Sequence, residues 1–165
     1  YMDCDMYMRS DIIEFFNEFT TQDYSDFYPL FCVQHEYEPK DKYKMDGRLQ
    51  EAYARKNWSS FVLWNCAHPA HKKLTPTEIN SNSGAWLHKF GWLGDKDSDI
   101  GKIPEEWNWL DGHSSEDLEA RNVHFTTGGP WFKDWKCQRT VDAQYAAEWN
   151  MDYSYLTLHG LTNEI

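Results

Sequence analysis

Polar and apolar residues alternate at the start of the chain, Met2-Asp3-Cys4-Asp5-Met6, a period of two that predicts the end of a strand. From Ser10 the period lengthens. Ile12, Phe15, Phe16 and Phe19 recur at helical spacing, predicting a helix with an apolar core stripe, capped by Ser10 and favoured by Asp11 at its positive end. Residues 21–57 hold no sustained period and read as a surface excursion with a short strand at 31–33 and a helical, charge-rich stretch at 49–56. The run SSFVLW at 59–64 predicts a buried strand. Thr75-Pro76-Thr77-Glu78 combines a capping box with proline at the first helical position, a helix start, and 85–90 predicts a second short helix. Residues 91–109 form a tryptophan-rich loop, and NVHFT at 122–126 predicts a strand running into Gly128-Gly129-Pro130. Val141, Tyr145, Trp149 and Tyr153 recur every four residues, predicting a terminal helix over 140–153. No repeat or linker interrupts the order, so the pattern predicts one α/β unit.

Composition narrows what such a unit does. At 165 residues the chain has the size of one domain. Its net charge of -11 repels nucleic acid and anionic lipid, which excludes both as expected partners. No run of 18 apolar residues predicts a transmembrane segment. Nine Trp, ten Tyr and nine Phe are an unusual load, suited to a core and also to stacking on sugar rings. The four cysteines form no CxxC pair, so they read as buried thiols in a reducing compartment, the cytoplasm.

The candidate chemistry starts at Asp3 and Asp5. On an extended segment positions i and i+2 face the same side, so two carboxylates project together. Such a pair either faces water or holds a hard divalent cation between its oxygens. Among the histidines, Cys66-x-His68-x-x-His71 has a metal-like spacing broken by Pro69, and His88 lies on a helical stretch between Trp86 and Trp92. His124 differs, because its strand leads straight into a Gly-Gly turn whose backbone amides suit a phosphate. An imidazole there supplies the nitrogen ligand that a carboxylate pair lacks. The acidic triplet Asp95-x-Asp97-x-Asp99 reads as a surface turn, since Gly101 and Pro104 are out of place for a calcium loop.

Taken in order, Met2-Asp3-Cys4-Asp5-Met6 with Ser10-Asp11-Ile12, then Asn57 through Leu63, then Val123-His124-Phe125 with Gly128, Pro130 and Trp131, resemble the motifs of family 8 glycosyltransferases. The resemblance implies a GT-A, Rossmann-like fold, a nucleotide-sugar donor such as a UDP-sugar, a glycan-type acceptor, Mn2+ (or Mg2+) as cofactor and retention of anomeric configuration. It implies that Asp3, Asp5 and His124 hold the metal. Gly128 and Gly129 would border the diphosphate, with Trp131 bracing their turn. Asn57, Ser59 and Ser60 would line the donor sugar, and His88 is a candidate for the place of the family's Asp-Gln. The family's lysine before proline is replaced by Gly129, which leaves Lys133 as a substitute. The nucleotide-binding strands that precede this motif in the family have no counterpart, so residues 1–165 read as one glycosyltransferase-like domain lacking its N-terminal part. At least one of Trp107 and Trp109 is expected in the acceptor cleft, because their segment reads as a loop. The competing reading is a non-catalytic, tryptophan-rich carbohydrate-binding domain. A glycoside hydrolase built on Glu105 and Glu106 fits poorly, since neighbours on a loop seldom face each other across a substrate.

Overall fold

The computed structural model of the chain describes residues 1–19, 27–36, 43, 47, 49, 53–132 and 144–161. Among these, two three-stranded sheets carry short helices and 3-10 turns. The elements in chain order are β1 (Met6–Met8), α1 (Ile12–Phe19), β2 (Leu30–Cys32), β3 (Val62–Trp64), α2 (Pro76–Ser81), α3 (Gly84–His88), β4 (Gly101–Lys102), β5 (Trp109–Leu110), β6 (Asn122–His124) and α4 (Ala146–Leu158). One sheet has the order β1-β6-β5, the other β3-β2-β4. In each, a parallel pair (β5 with β6, β2 with β4) is flanked by an antiparallel strand.

The opening segment differs from the predicted strand end. Residues 1–3 are extended, but Cys4 and Asp5 make a turn, and the strand proper begins at Met6. Before the turn the chain pairs with the entry to β3: Val62 donates to the Tyr1 carbonyl at 2.9 Å and Asp3 to the Ser60 carbonyl at 2.8 Å. After it, Met6 lies opposite His124 in β6. Segment 1–8 therefore serves both sheets. Segment 101–110 does the same, carrying β4 and then β5.

Local capping follows backbone geometry. Asp11, not Ser10, caps α1, its carboxylate accepting from the Ile13 amide at 2.9 Å. Only Phe15 of the expected stripe is buried; Ile12 and Phe16 are exposed. Thr75 caps α2 through the Glu78 amide at 3.1 Å, as its capping box predicts. The predicted strand at 59–64 starts as a 3-10 turn over Trp58–Ser60, and α4 starts at Ala146. Tyr145 is buried and Trp149 and Tyr153 half-buried along one face of that helix, while Val141 lies outside the described residues. The predicted helix at 49–56 is not formed where it is described: Leu49 bridges to Tyr43 and residues 54–56 make a turn, with 50–52 outside the described residues. Phe31 and its neighbours are not a surface excursion: Leu30, Phe31, Cys32 and Val33 are all buried, because β2 is the central strand of its sheet.

Three apolar clusters fill the interior, and the tryptophans belong to them. Trp107 packs with Phe15, Phe31 and Phe61; Trp109 packs with Val123, Phe125 and Tyr145. They are 0% and 2% exposed, so neither lines a cleft. The expected loop is drawn inward because β5 and the turn before it pair with β6 and pack against it. None of the described tryptophans is exposed. Of the cysteines only Cys32 is buried; Cys4 and Cys66 are free and exposed, and Cys137 lies outside the described residues. No described helix is long and apolar enough to cross a membrane.

Candidate metal centre

The strand β6 reads Asn122-Val123-His124-Phe125-Thr126 through its end, and the alternation divides its faces. Val123 and Phe125 enter an apolar cluster. Asn122, His124 and Thr126 point the other way and are buried too, giving the strand a polar inner face. Opposite it, the Cys4-Asp5 turn delivers its carboxylates. One ligand atom each of Asp3, Asp5 and His124 lie within 4.8 Å of one another, the one such triad among the described residues. The turn, not strand alternation, is what brings the two aspartates together.

The geometry fits a cation. Separations of this size place three donors around one ion at about 2.0–2.4 Å each after small adjustments. Nε2 of His124 stands 3.5 Å from Asp5 Oδ1, and the imidazole is almost fully enclosed. Its Nδ1 is buried without a hydrogen-bond partner among the described residues, so the ring's bonding capacity is unfilled where it is expensive to leave so. The Tyr1 hydroxyl donates to Asp3 Oδ1 at 2.7 Å. That hydrogen bond, then burial and the charges of Asp3, Cys4 and Asp5, push the phenol up to about 12. Two carboxylate oxygens and one imidazole nitrogen suit Mn2+ better than the all-oxygen preference of Ca2+.

The segment at 57–60 closes one side. Asn57 adopts a left-handed backbone, φ 63°, and its side-chain amide donates to Thr126 Oγ1 at 3.0 Å. Ser60 is buried, donating to the Asn57 carbonyl at 2.6 Å and accepting from Asn108 Nδ2 at 2.9 Å. Its hydroxyl thus holds the turn in shape and does not face a ligand. Ser59 Oγ meets Nδ1 of the exposed His88 at 2.8 Å, so these two expected donor-sugar residues do come together. Beyond His124, the Gly128 amide is already bonded to the Phe125 carbonyl at 2.9 Å and is not offered to a phosphate. Gly129 is buried, and a Cβ there would strike the Trp131 ring at 2.3 Å; Trp131 in turn packs edge-on against Phe125. Trp131 therefore braces the turn. Lys133 lies outside the described residues.

Elsewhere the predicted ligands scatter. His71 Nε2 meets the Pro29 carbonyl at 2.8 Å, and His68 Nδ1 accepts the Ala70 amide, so the Cys66-His68-His71 spacing closes a turn. Asp97 pairs with Arg55 at 2.8 Å. Sequence reasoning missed Tyr1, Asn108, Thr126 and His35. Thr126 was within reach, since polar residues at 122, 124 and 126 already alternate.

Among curated proteins the chain is similar to "Protein CDI" of Arabidopsis thaliana, 44% identical over 154 residues, or 90% of this chain and 55% of that protein. The chain spans about half the length of the curated relative it matches. No family model and no solved structure matches it.

Proposed function

We propose that this chain carries the metal-binding part of a GT-A-like glycosyltransferase, moving a sugar from a nucleotide-diphosphate donor, a UDP-sugar, to a hydroxyl on a glycan-type acceptor with retention. The observation that carries the reading is the convergence of Asp3, Asp5 and His124 on one point. Its setting supports it: β2, β4, β5 and β6 end at the same rim as the turn of Asp5, and open α/β sheets bind ligands outside the carboxyl ends of their strands. A bound Mn2+ or Mg2+ would stabilise the negative charge that develops on the departing diphosphate. The chain's own part is to hold that ion. Asp3 and Asp5 supply oxygens on a tight turn, and buried His124 supplies nitrogen from a rigid strand. Asn57, fixed to Thr126, shapes the wall where a donor sugar would lie, with Ser59 and His88 at its outer edge.

The test is thermal denaturation with Mn2+, alone and with UDP. Ion present at a hundred times its dissociation constant adds about 2.7 kcal/mol, a rise of several degrees in Tm. Asp5→Asn, isosteric and only partly buried, should remove the rise. An equal rise in the variant places the ion elsewhere. Release of UDP from a UDP-sugar then separates a transferase from a binder.

A further inference from the structure

The loops that leave β2, β4 and β5 enclose a second feature of the same rim: an open, polar cavity of about 360 Å3 lined by Gln34, His35, Lys102, Glu105, His113 and Ser114. We infer that this cavity is the acceptor pocket of the enzyme and that it takes the hydroxyl-bearing end of a neutral saccharide.

The inference rests on the transferase reading above, and three observations carry it further. The first is position. Asp111, the residue that follows β5, donates its amide to the His124 carbonyl at 3.0 Å, so the loop reaching His113 and Ser114 starts beside the strand that carries His124. A larger cavity, about 560 Å3, is lined by Tyr28 and Pro29 ahead of β2 and by Ser98 and Asp99 ahead of β4, and so lies at the opposite end of the strands.

The second is chemistry. The lining offers carboxylate, amide, hydroxyl, ammonium and imidazole groups with few apolar side chains, a set that hydrogen-bonds hydroxyls in several directions. His35 Nε2 is buried without a partner among the described residues, leaving bonding capacity near the cavity. Ser114 Oγ is held between the Leu110 amide at 2.9 Å and Glu105 Oε1 at 2.5 Å, which fixes the Glu105 carboxylate at the mouth. The third is charge. Glu36 and Glu105 outnumber Lys102 in the lining, and the whole chain carries -11, so phosphorylated or uronic acceptors are repelled. At 360 Å3 the cavity is at the small end for ligand sites and suits one terminal sugar.

Saturation-transfer NMR tests this on the chain with Mg2+ and UDP, using glucose, galactose, lactose and maltose as neutral probes and glucose 6-phosphate as an anionic one. At least one neutral sugar should receive saturation. His113→Phe, which fills the cavity, and Glu105→Gln, at an exposed site, should each weaken its binding about tenfold, the loss of one hydrogen bond to a charged group or more. Circular dichroism confirms that both variants fold. No signal from any neutral sugar, a signal unmoved by both variants, or stronger binding of glucose 6-phosphate would overturn the inference. Water-proton relaxation with Mn2+ separates it from the reading beneath. Mn2+ uptake with sugar contact indifferent to both variants sinks the pocket alone, whereas sugar contact that both variants weaken, in a chain that takes up no Mn2+, sinks the transferase reading.

Discussion

The imidazole of His35 is folded into the protein uncharged. Burial first, then the neighbouring His124 and His113, push it down to about 3. In the unfolded chain a histidine titrates near 6.5. Between these values the unfolded state binds the extra proton, so stability rises with pH. The contribution of His35 is complete above pH 6.5 and is lost as pH falls toward 3. Urea midpoints at pH 7 and pH 5 should show the parent losing on the order of 1–2 kcal/mol more than His35→Gln; equal losses would mean that the ring meets solvent. Gly129 makes a second residue-scale case, through contact. A methyl group there meets the rigid Trp131 ring, so Gly129→Ala should cost about 1–3 kcal/mol in chemical denaturation. At this scale the cluster of Asp3, Asp5 and His124 was legible because it is a chemical pattern, an aspartate pair and a strand histidine ahead of a glycine turn. Ser60 was misread as facing the sugar, since nothing in its local sequence marks the distant Asn108 that claims its hydroxyl.

Elements were legible where their determinants are local. The capping box at Thr75 names both partners within four residues, and helix α2 follows it. The strands are two or three residues long, too short for periodicity, and their limits are set by which distant segment pairs with them. Trp107 and Trp109 show the consequence: a sequence framed by Pro104 and Gly112 looks like a loop, yet pairing with β6 makes it core. Trp107→Ala and Trp109→Ala should therefore each cost about 3–5 kcal/mol, read from denaturant midpoints, rather than alter acceptor use selectively. Helix α4 depends on a different anchor. Arg9 reaches it with two hydrogen bonds to Glu148, at 2.7 and 3.2 Å, and Tyr7 donates to Asp152 at 2.6 Å. Arg9→Lys keeps the charge but loses the paired geometry, so α4 amides should exchange faster in the variant while those of β2 hold their protection.

For the whole molecule, the joining of the sheets decides what an ion does. Asp3 stands on the part of segment 1–8 that pairs beside β3, while Asp5 and His124 stand on the part that pairs within the other sheet. A cation held by all three would therefore tie the sheets together across the Cys4-Asp5 turn. Stabilisation by such a ligand is shared by every amide whose exchange requires the tie to open. Hydrogen exchange read by mass spectrometry should then slow on adding Mn2+ in three places at once: residues 1–5, residues 60–64 and residues 122–126. Asp5→Asn should show none of the three changes. Slowing confined to residues 1–5 would mean that an ion sits on the turn alone and leaves His124 out, and the proposed metal centre would fail with it. Slowing in all three, lost together in the variant, would make the cation a structural link between the sheets as well as a source of charge at the rim.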